Sequence, residues 1–363
     1  QLLSFLEFYY SLRCYNKYIN QMKTKIFITG SSGFIGFHTA KKFLDKGFKI
    51  HGLDSMNNYY DVSLKRSRLK ILKRYKDFSF TRGKLENKRN LKNIIFKFKP
   101  SIIIHLAAQA GVRYSLKNPS LYIDSNIKGF FNIIDNIKKN NIKNFIYASS
   151  SSIYGNSKKS VFKESDNATS PRQLYAATKR SNELIAHAYS SLYKINTIGL
   201  RLFTVYGPWG RPDMAPMIFS KAILKGNPID VYNFGNMKRD FTFIDDVVEV
   251  VCRCCKKPAV KDESFDPANP NPSTSFAPHR LFNVGNSNPI KLIEFINLLE
   301  NFLGTKAIKN LKKMQDGDVF ETAADTTLLS EWIDFIPNTK IEDGMEIFTK
   351  WYIDYFKLSK NHP

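Results

Sequence analysis

Acidic residues are scarce in this 363-residue chain, which has 32 aspartates and glutamates against 55 lysines and arginines and a formal charge of +23. A strongly basic balance suggests nucleic acid or an anionic surface as a partner. The excess cations are lysines spread along the whole chain, and no basic segment is accompanied by a cluster of base-stacking aromatic residues. The composition therefore favours attraction of phosphate-bearing small molecules, and we expect no nucleic-acid partner.

Cysteine is also scarce, with four residues, Cys14, Cys252, Cys254 and Cys255. Cys252 and Cys255 form a C-x-x-C pair, which raises the possibilities of zinc binding and redox chemistry. No second pair and no neighbouring histidine completes a zinc site, and the six histidines show no metal-ligand spacing. We therefore expect free thiols, buried or half-buried, in a reducing compartment, and no metal.

Long apolar runs are missing, including from the first 21 residues, which contain Glu7 and Arg13. Their apolar stretch is too short to span a bilayer, and they lack the basic start and small-residue cleavage site of a signal peptide. Met22 directly precedes a β-rich run. We expect residues 1–21 to be a poorly ordered leader, and the protein to be cytoplasmic with no membrane partner.

What the chain does have is a strand, a glycine-rich turn, a helix and a second strand. The composition predicts strands over Lys25–Thr29 and Lys49–Asp54, and between them the segment at 30–36, the glycine turn, contains Gly30, Gly33 and Gly36. This order is typical of a dinucleotide-binding unit, in which a pyrophosphate lies at the N-terminus of the helix. Asp54 would accept a hydrogen bond from a ribose hydroxyl and repel a 2′-phosphate, so the pattern favours NAD over NADP.

Strands and helices continue to alternate after this unit. The patterns predict strands over 78–82, 101–106, 145–149 and 197–202, and helices over 88–98, 119–139 and around Tyr175. The sequence therefore predicts an α/β fold with a doubly wound parallel (Rossmann) sheet. We assign residues 22–203 to a cofactor-binding domain. Residues 204–356, where proline and glycine become more frequent, are assigned mainly to a smaller mixed α/β lobe that binds substrate.

The pair Tyr175 and Lys179 is the candidate catalytic centre. Four residues apart on a helix, the two side chains share one face. An ammonium beside a phenol favours the phenolate, so we expect Lys179 to lower the pKa of Tyr175 and make it a general base. Alone, this spacing is common on helix surfaces, but here it follows a run of four serines at 149–152 and the glycine turn.

At these residues the chain resembles the extended short-chain dehydrogenases that act on nucleotide sugars, and among them the UDP-glucuronate 4-epimerases. The resemblance spans 22–355. The stretches that carry it lie at 30–36, 54–61, 105–113, 149–155, 175–179, 207–214, 239–246 and 315–319.

The resemblance implies a mechanism without net redox change. Tyr175, as phenolate, would remove the proton of the sugar 4-hydroxyl while hydride leaves C4 for bound NAD. Lys179 would hold the cofactor ribose, and Ser150 would hydrogen bond the reacting oxygen. The 4-keto sugar would then turn over in the pocket and receive the hydride on its other face.

The resemblance also implies the residues of each site. The catalytic residues would be Tyr175, Lys179, Ser150 and Ser152. The NAD site would contain Gly30, Gly33, Phe34, Ile35, Gly36, Asp54, Leu85, Ala107, Ala108, Gln109, Asn126, Tyr175, Lys179 and Phe203. The UDP-sugar site would contain Arg113, Ser150, Ser152, Thr204, Arg211, Arg239 and Asp318. Arg239 would bind the phosphates and Asp318 the uridine ribose, whereas Arg113 and Arg211 are both candidates for the carboxylate or phosphates.

The serine run helps to choose the reaction. Related dehydratases carry an acidic pair in the equivalent stretch, and related decarboxylases carry a glutamate where Ser152 stands. We hypothesise that the neutral Ser152 holds the substrate carboxylate and so discourages loss of CO₂. One departure from the family concerns Lys84, which replaces an aspartate that reads the adenine amino group. Either the backbone near Leu85 holds the adenine, or the affinity for NAD is lower.

Two other functions are compatible with the same residues. The protein could epimerise a neutral UDP-sugar, such as UDP-glucose or UDP-N-acetylglucosamine. It could also be a regulator that binds NAD without catalysis, which is disfavoured because Ser150, Tyr175 and Lys179 are all present. The resemblance further implies a homodimer that pairs through the helix beginning near Pro119 and the Tyr175 helix.

Overall fold

The structure is a computed structural model that describes residues 24–356, apart from 141, 143, 156, 158 and 315–319. The predicted leader, Cys14 and Asp318 lie outside the described residues. The strands are β1 Lys25–Thr29, β2 Lys49–Asp54, β3 Phe78–Arg82, β4 Ile102–His105, β5 Asn144–Ser150, β6 Val161–Phe162, β7 Asn196–Leu202, β8 Thr204–Tyr206, β9 Ile229–Tyr232, β10 Lys238–Phe243, β11 His279–Val284, β12 Pro289–Lys291, β13 Lys309–Lys312 and β14 Glu321–Ala324.

The α-helices are α1 Phe34–Asp45, α2 Val62–Leu72, α3 Lys88–Phe98, α4 Tyr114–Lys117, α5 Pro119–Tyr122, α6 Gly129–Lys139, α7 Leu174–Tyr193, α8 Ala215–Leu224, α9 Ile244–Lys256, α10 Leu292–Leu303, α11 Thr327–Ile333 and α12 Ile341–Phe356. A π-helix, Ile123–Lys128, joins α5 to α6. Among the described residues, no helix is both long and apolar enough to cross a bilayer.

Seven parallel strands form the central sheet in the order β11-β7-β5-β4-β1-β2-β3. The side chains of consecutive residues in β1 point to opposite faces of the sheet, because side chains alternate along a strand. Ile26 and Ile28 pack with Phe37 of α1, whereas Phe27 packs with Ile133 of α6. All five side chains are buried, as expected for a parallel sheet covered by helices on both faces. The predicted doubly wound fold is confirmed.

The remaining strands form smaller sheets beside the central one. The order β12-β10-β14-β6, with β8 also paired to β10, makes the second sheet, and β13 pairs with β9. The division of the chain into a cofactor-binding domain and a substrate lobe, between residues 203 and 204, stays a prediction. β11 comes from the second range of the sequence and pairs with β7 in the central sheet.

Two details refine the expectations from sequence. The helix predicted over 119–139 is helical as expected but passes through the π-helix, whose wider turn places Asn126 in the interior. The C-x-x-C pair lies on α9. Its three cysteines are buried and free, and burial raises the pKa of the Cys252 thiol to about 11. Such thiols are protonated and unreactive at neutral pH.

Candidate active site

A cleft of about 920 Å³ opens at the carboxyl ends of the central strands. Gly30 follows β1, Asp54 ends β2, Ala107 follows β4, Ser150 ends β5 and Phe203 follows β7, and all five line the cleft. Parallel strands end at one edge of the sheet, which is where ligands bind in such folds.

Most of the residues predicted for the cofactor meet in this cleft. Those that line it are Gly30, Gly33, Phe34, Ile35, Gly36, Asp54, Leu85, Ala107, Ala108, Gln109, Tyr175, Lys179 and Phe203. Of the residues predicted for the substrate, Ser150 and Arg211 line it.

The glycine turn is packed so closely that side chains are excluded from two of its positions. Gly30 has a φ of +74°, and a Cβ there would lie 2.8 Å from the amide nitrogen of Ala107. A Cβ on Gly36 would lie 2.0 Å from the carbonyl oxygen of Gly30. The turn therefore lets α1 begin directly at the cleft, with its unpaired N–H groups available to an anion.

Asp54 fixes the glycine turn to β2. Its carboxylate accepts hydrogen bonds from the amides of Ser32 at 3.1 Å and Met56 at 2.8 Å, and the residue is 7% exposed. Asp54 still lines the cleft, so it can both hold the turn and meet a ligand there.

Asn126 does not line the cleft but supports its wall. Its side chain exchanges hydrogen bonds with the backbone of Gln109 at 2.8 and 3.0 Å and donates to Thr178 Oγ1 at 3.1 Å. The Thr178 hydroxyl donates in turn to the carbonyl of Tyr175 at 2.8 Å. Asn126 therefore joins the segment after β4 to the Tyr175 helix, α7.

The candidate catalytic pair lies on α7 as predicted, but its electrostatics differ from the prediction. The buried Lys179 ammonium donates to the carbonyl of Ala148 at 2.7 Å, and burial lowers its pKa to about 8 although Glu183 opposes the shift. Burial raises the pKa of Tyr175 above its usual value, against smaller lowering effects of a Ser150 hydrogen bond and the Arg211 charge.

The expectation that Lys179 lowers the pKa of Tyr175 towards neutrality is therefore wrong. Desolvation of a phenolate outweighs the favourable contacts, and Arg211 supplies the positive charge that acts on the phenol. A lysine four residues away on a helix shares its face, but this ammonium is engaged by the carbonyl of Ala148.

The serine run is tied to a buried ion pair below it. Ser149 donates to Glu183 Oε1 at 2.6 Å, and Glu183 accepts two hydrogen bonds from Arg201, at 3.0 and 3.1 Å. Ser150 Oγ accepts from the hydroxyl of Ser152 at 3.0 Å. Ser152 does not line the cleft, so the structure connects it to the site through Ser150.

Arg211 belongs to the segment at 207–214, which we name the arginine loop. Its guanidinium pairs with Asp213, with the Nε–Oδ1 distance at 3.0 Å, and the Tyr59 hydroxyl donates to the same carboxylate at 2.9 Å. The arginine is thus held by residues from two of the stretches that carry the family resemblance. Burial alone would raise the pKa of Asp213, but the hydrogen bond and charge of Arg211 lower it below its usual value, which favours the carboxylate form.

Three further predicted substrate residues do not line the cleft. Arg113 precedes α4, Thr204 begins β8, and Arg239 in β10 donates to the carbonyls of Lys238 at 2.8 Å and Phe320 at 3.3 Å. Their roles, and that of Asp318, stay predictions.

Several residues that line the cleft were missed from the sequence. Lys65, Arg66 and Arg82 line the cleft, as does Lys84. Tyr59 also lines the cleft, and its place in the stretch at 54–61, which carries part of the family resemblance, was a signal that could have identified it. Nothing in the local pattern distinguishes Lys65 from the many other lysines.

Comparison with known proteins identifies the family to which the chain belongs. The family model "NAD dependent epimerase/dehydratase family" matches residues 26–266, and the chain belongs to this family. Among individual relatives, the chain is 52% identical to "Protein CapI" of Staphylococcus aureus, over 92% of this chain and 99% of that protein. It is 45% identical to a "Probable UDP-glucuronate 4-epimerase" of Rhizobium meliloti, over 90% and 96%.

One solved structure is similar to this chain in fold and sequence. The UDP-glucuronic acid 4-epimerase of Bacillus cereus, in complex with UDP-glucuronic acid and NAD, superposes with a TM-score of 0.80. The two sequences are 28% identical, and the match covers 92% of this chain and 100% of that one.

Proposed function

We propose that the protein is an isomerase that converts UDP-glucuronate to UDP-galacturonate with bound NAD. The observation that carries this proposal is the meeting of Tyr175, Lys179 and Ser150 with a tightly packed glycine turn in one cleft. The relatives named as UDP-glucuronate 4-epimerases support the choice of substrate. A regulator without catalysis is disfavoured, because it would not need this set of side chains around one cleft.

Each residue has a defined task in this proposal. The glycine turn and the N-terminus of α1 receive the pyrophosphate, and Asp54 receives the adenosine ribose. When bound, NAD supplies the acceptor and donor of the hydride at C4. Tyr175 takes the proton of the 4-hydroxyl and later returns it, while Ser150 holds the oxygen in place. Lys179 orients the nicotinamide ribose.

The substrate carboxylate is assigned to the side of the cleft formed by Ser150 and Arg211, with Ser152 acting through its hydrogen bond to Ser150. A guanidinium offers paired donors to a carboxylate, and serine hydroxyls add neutral donors without a competing negative charge. A neutral UDP-sugar would bring no negative charge to the half-buried Arg211 guanidinium, which disfavours the alternative of UDP-glucose or UDP-N-acetylglucosamine. Arg113, Thr204, Arg239 and Asp318 are proposed to hold the uridine diphosphate.

We also propose that the protein is a homodimer and that it is located in the cytoplasm. Helices α5 and α6, the π-helix between them and α7 pack together and expose Leu121, Ile123, Phe131, Leu184 and Leu192. A second copy of the chain would cover this apolar surface. Sedimentation of the purified protein as a dimer, and as a monomer after Leu184→Glu with Phe131→Glu, tests this part. A monomeric parent protein would refute it, and recovery of the native protein in the membrane fraction would refute the location.

Proton NMR of UDP-glucuronate incubated with the purified protein, without added NAD, tests the activity. We expect the signals of UDP-galacturonate to appear and NAD to be retained through purification. Formation of UDP-xylose or a 4-keto pentose would instead mean decarboxylation. Conversion that begins after NAD is added would indicate a weakened cofactor site at Lys84, and conversion of UDP-glucose alone would establish the neutral-sugar alternative.

A further inference from the structure

Arg68 of α2 is fully buried and hydrogen bonds to neutral oxygen atoms rather than to a carboxylate. Its guanidinium donates to the carbonyl of Ser32 and the hydroxyl of Tyr60, both at 3.0 Å. It also donates to the carbonyls of Trp209 at 2.5 Å and Gly210 at 3.2 Å. Within the part of the chain that the structure describes, Arg68 Nε has no hydrogen-bond partner and no carboxylate hydrogen bonds to the guanidinium, although the charge of Asp54 acts on it without direct contact.

These contacts join two parts of the molecule that are far apart in sequence. Ser32 lies in the glycine turn, and its amide donates to Asp54. Trp209 and Gly210 lie in the arginine loop, directly before Arg211. Arg68 does not line the cleft, so it bridges the two parts from behind.

The arginine loop needs such support, because its backbone is in an unusual conformation. Trp209 has a φ of +62°, in the left-handed region that a bulky residue rarely adopts. The Trp209 ring packs on Phe37 of α1 and Tyr355 of α12, with centroids 5.5 and 4.9 Å apart. His38 of α1 also contacts the carbonyl of Pro208 at 2.8 Å. The loop therefore rests on the helix that begins at the glycine turn.

The charge of Arg68 calls for a counter-ion. A buried cation is costly unless it is paired, and for Arg68 the neutral oxygens and the charge of Asp54 compensate the cost of burial only partly. The N-terminus of α1, adjacent to Ser32, is the site proposed for the two negative charges of the NAD pyrophosphate. A dianion there would balance the guanidinium, which already holds the turn through the Ser32 carbonyl.

We propose that Arg68 is a positioning residue that couples the two sides of the cleft. Its buried charge favours a pyrophosphate at the glycine turn, and its bonds to Trp209 and Gly210 hold Arg211 ready for the sugar nucleotide. This inference rests on the proposed function, because it takes NAD and UDP-glucuronate as the two ligands. Binding of one ligand should then strengthen binding of the other.

The test is calorimetric titration of the full chain, freed of NAD, with NAD and with UDP-glucuronate, each in the absence and presence of the other. We expect each ligand to tighten the other about tenfold in the parent protein, a typical allosteric coupling. In Arg68→Met, loss of the buried charge should weaken NAD binding about tenfold and abolish the coupling. In Arg68→Lys the charge remains, so NAD binding should stay within about threefold of the parent while the coupling is lost, because an ammonium lacks the planar fork that spans both sides.

The exposed Arg74, just beyond α2, provides the matched control, and Arg74→Met should change neither binding nor coupling. Parental coupling in Arg68→Lys, or parental NAD binding in a folded Arg68→Met, would overturn the inference, as would a parent protein that binds both ligands independently. If Arg68→Met does not fold, Arg68→Lys decides. A parent protein that binds NAD but not UDP-glucuronate would refute the proposed substrate, while the NAD titrations would still test the role of the charge.

Discussion

The two sides of the cleft are built in different ways. The glycine turn forms its surface from backbone, with Gly30 and Gly36 packed so closely that a Cβ has no room. The arginine loop presents a side chain, Arg211, held by Asp213 and Tyr59 from separate segments. A surface built from backbone suits a ligand that a whole family shares, whereas a surface built from side chains can change its ligand with few substitutions.

The variant with the largest expected effect, Tyr175→Phe, separates the catalytic step from the binding of NAD. Tyr175→Phe removes the proposed general base but keeps the ring, so we expect the turnover number for UDP-glucuronate to fall about a thousandfold. Retained NAD, measured by absorbance after denaturation, should be unchanged. Tyr232→Phe, in β9 outside the cleft, is the matched control and should keep full activity. Substantial turnover by Tyr175→Phe would exclude the tyrosine as base.

The backbone side is tested by Gly36→Ala. The new Cβ would meet the Gly30 carbonyl oxygen at 2.0 Å, so we expect the free energy of unfolding to fall by about 3 kcal/mol and NAD to be lost. Gly47→Ala is the control, because a Cβ there meets nothing within 4 Å and the left-handed φ of +80° alone should cost about 1 kcal/mol. Urea denaturation measures both. If Gly36→Ala and Gly47→Ala lowered the free energy of unfolding equally, close packing of the glycine turn would be unimportant for stability.

The side-chain side is tested by Arg211→Lys. This change keeps a positive charge but loses the paired donors, so we expect the KM for UDP-glucuronate to rise about tenfold, with NAD content unchanged. Arg253→Lys, in α9 and paired with Glu249, should leave the KM unaltered. If Arg211→Lys instead lost NAD, the two sides of the cleft would not divide the ligands as proposed.

The smallest effect concerns the fate of the intermediate. Ser152→Glu places a carboxylate beside Ser150, and we expect a pentose by-product of a few per cent of turnover, because the substrate carboxylate is no longer held by neutral donors. Proton NMR measures the product ratio. Ser152→Ala removes the hydroxyl without adding charge and separates the two causes. An unchanged ratio in Ser152→Glu would refute the hypothesis for Ser152.

The sequence alone predicted the backbone side almost completely. The glycine turn, Asp54 and the flanking strands form one continuous segment, so local pattern was sufficient to predict their structure. The contacts of Arg68 with Trp209, and of Tyr59 with Asp213, join segments more than a hundred residues apart. The pKa of Tyr175 could not be inferred either, because desolvation depends on the whole surrounding structure rather than on helical spacing.

The central claim is that hydride leaves C4 of the sugar and returns to the same carbon from the other side. Incubation of UDP-[4-²H]glucuronate with the protein in ordinary water, followed by mass spectrometry and NMR of the product, tests it directly. The account predicts UDP-galacturonate that retains deuterium at C4. Product that carries hydrogen from solvent at C4 would contradict it, because the bond would then have been broken as a proton transfer.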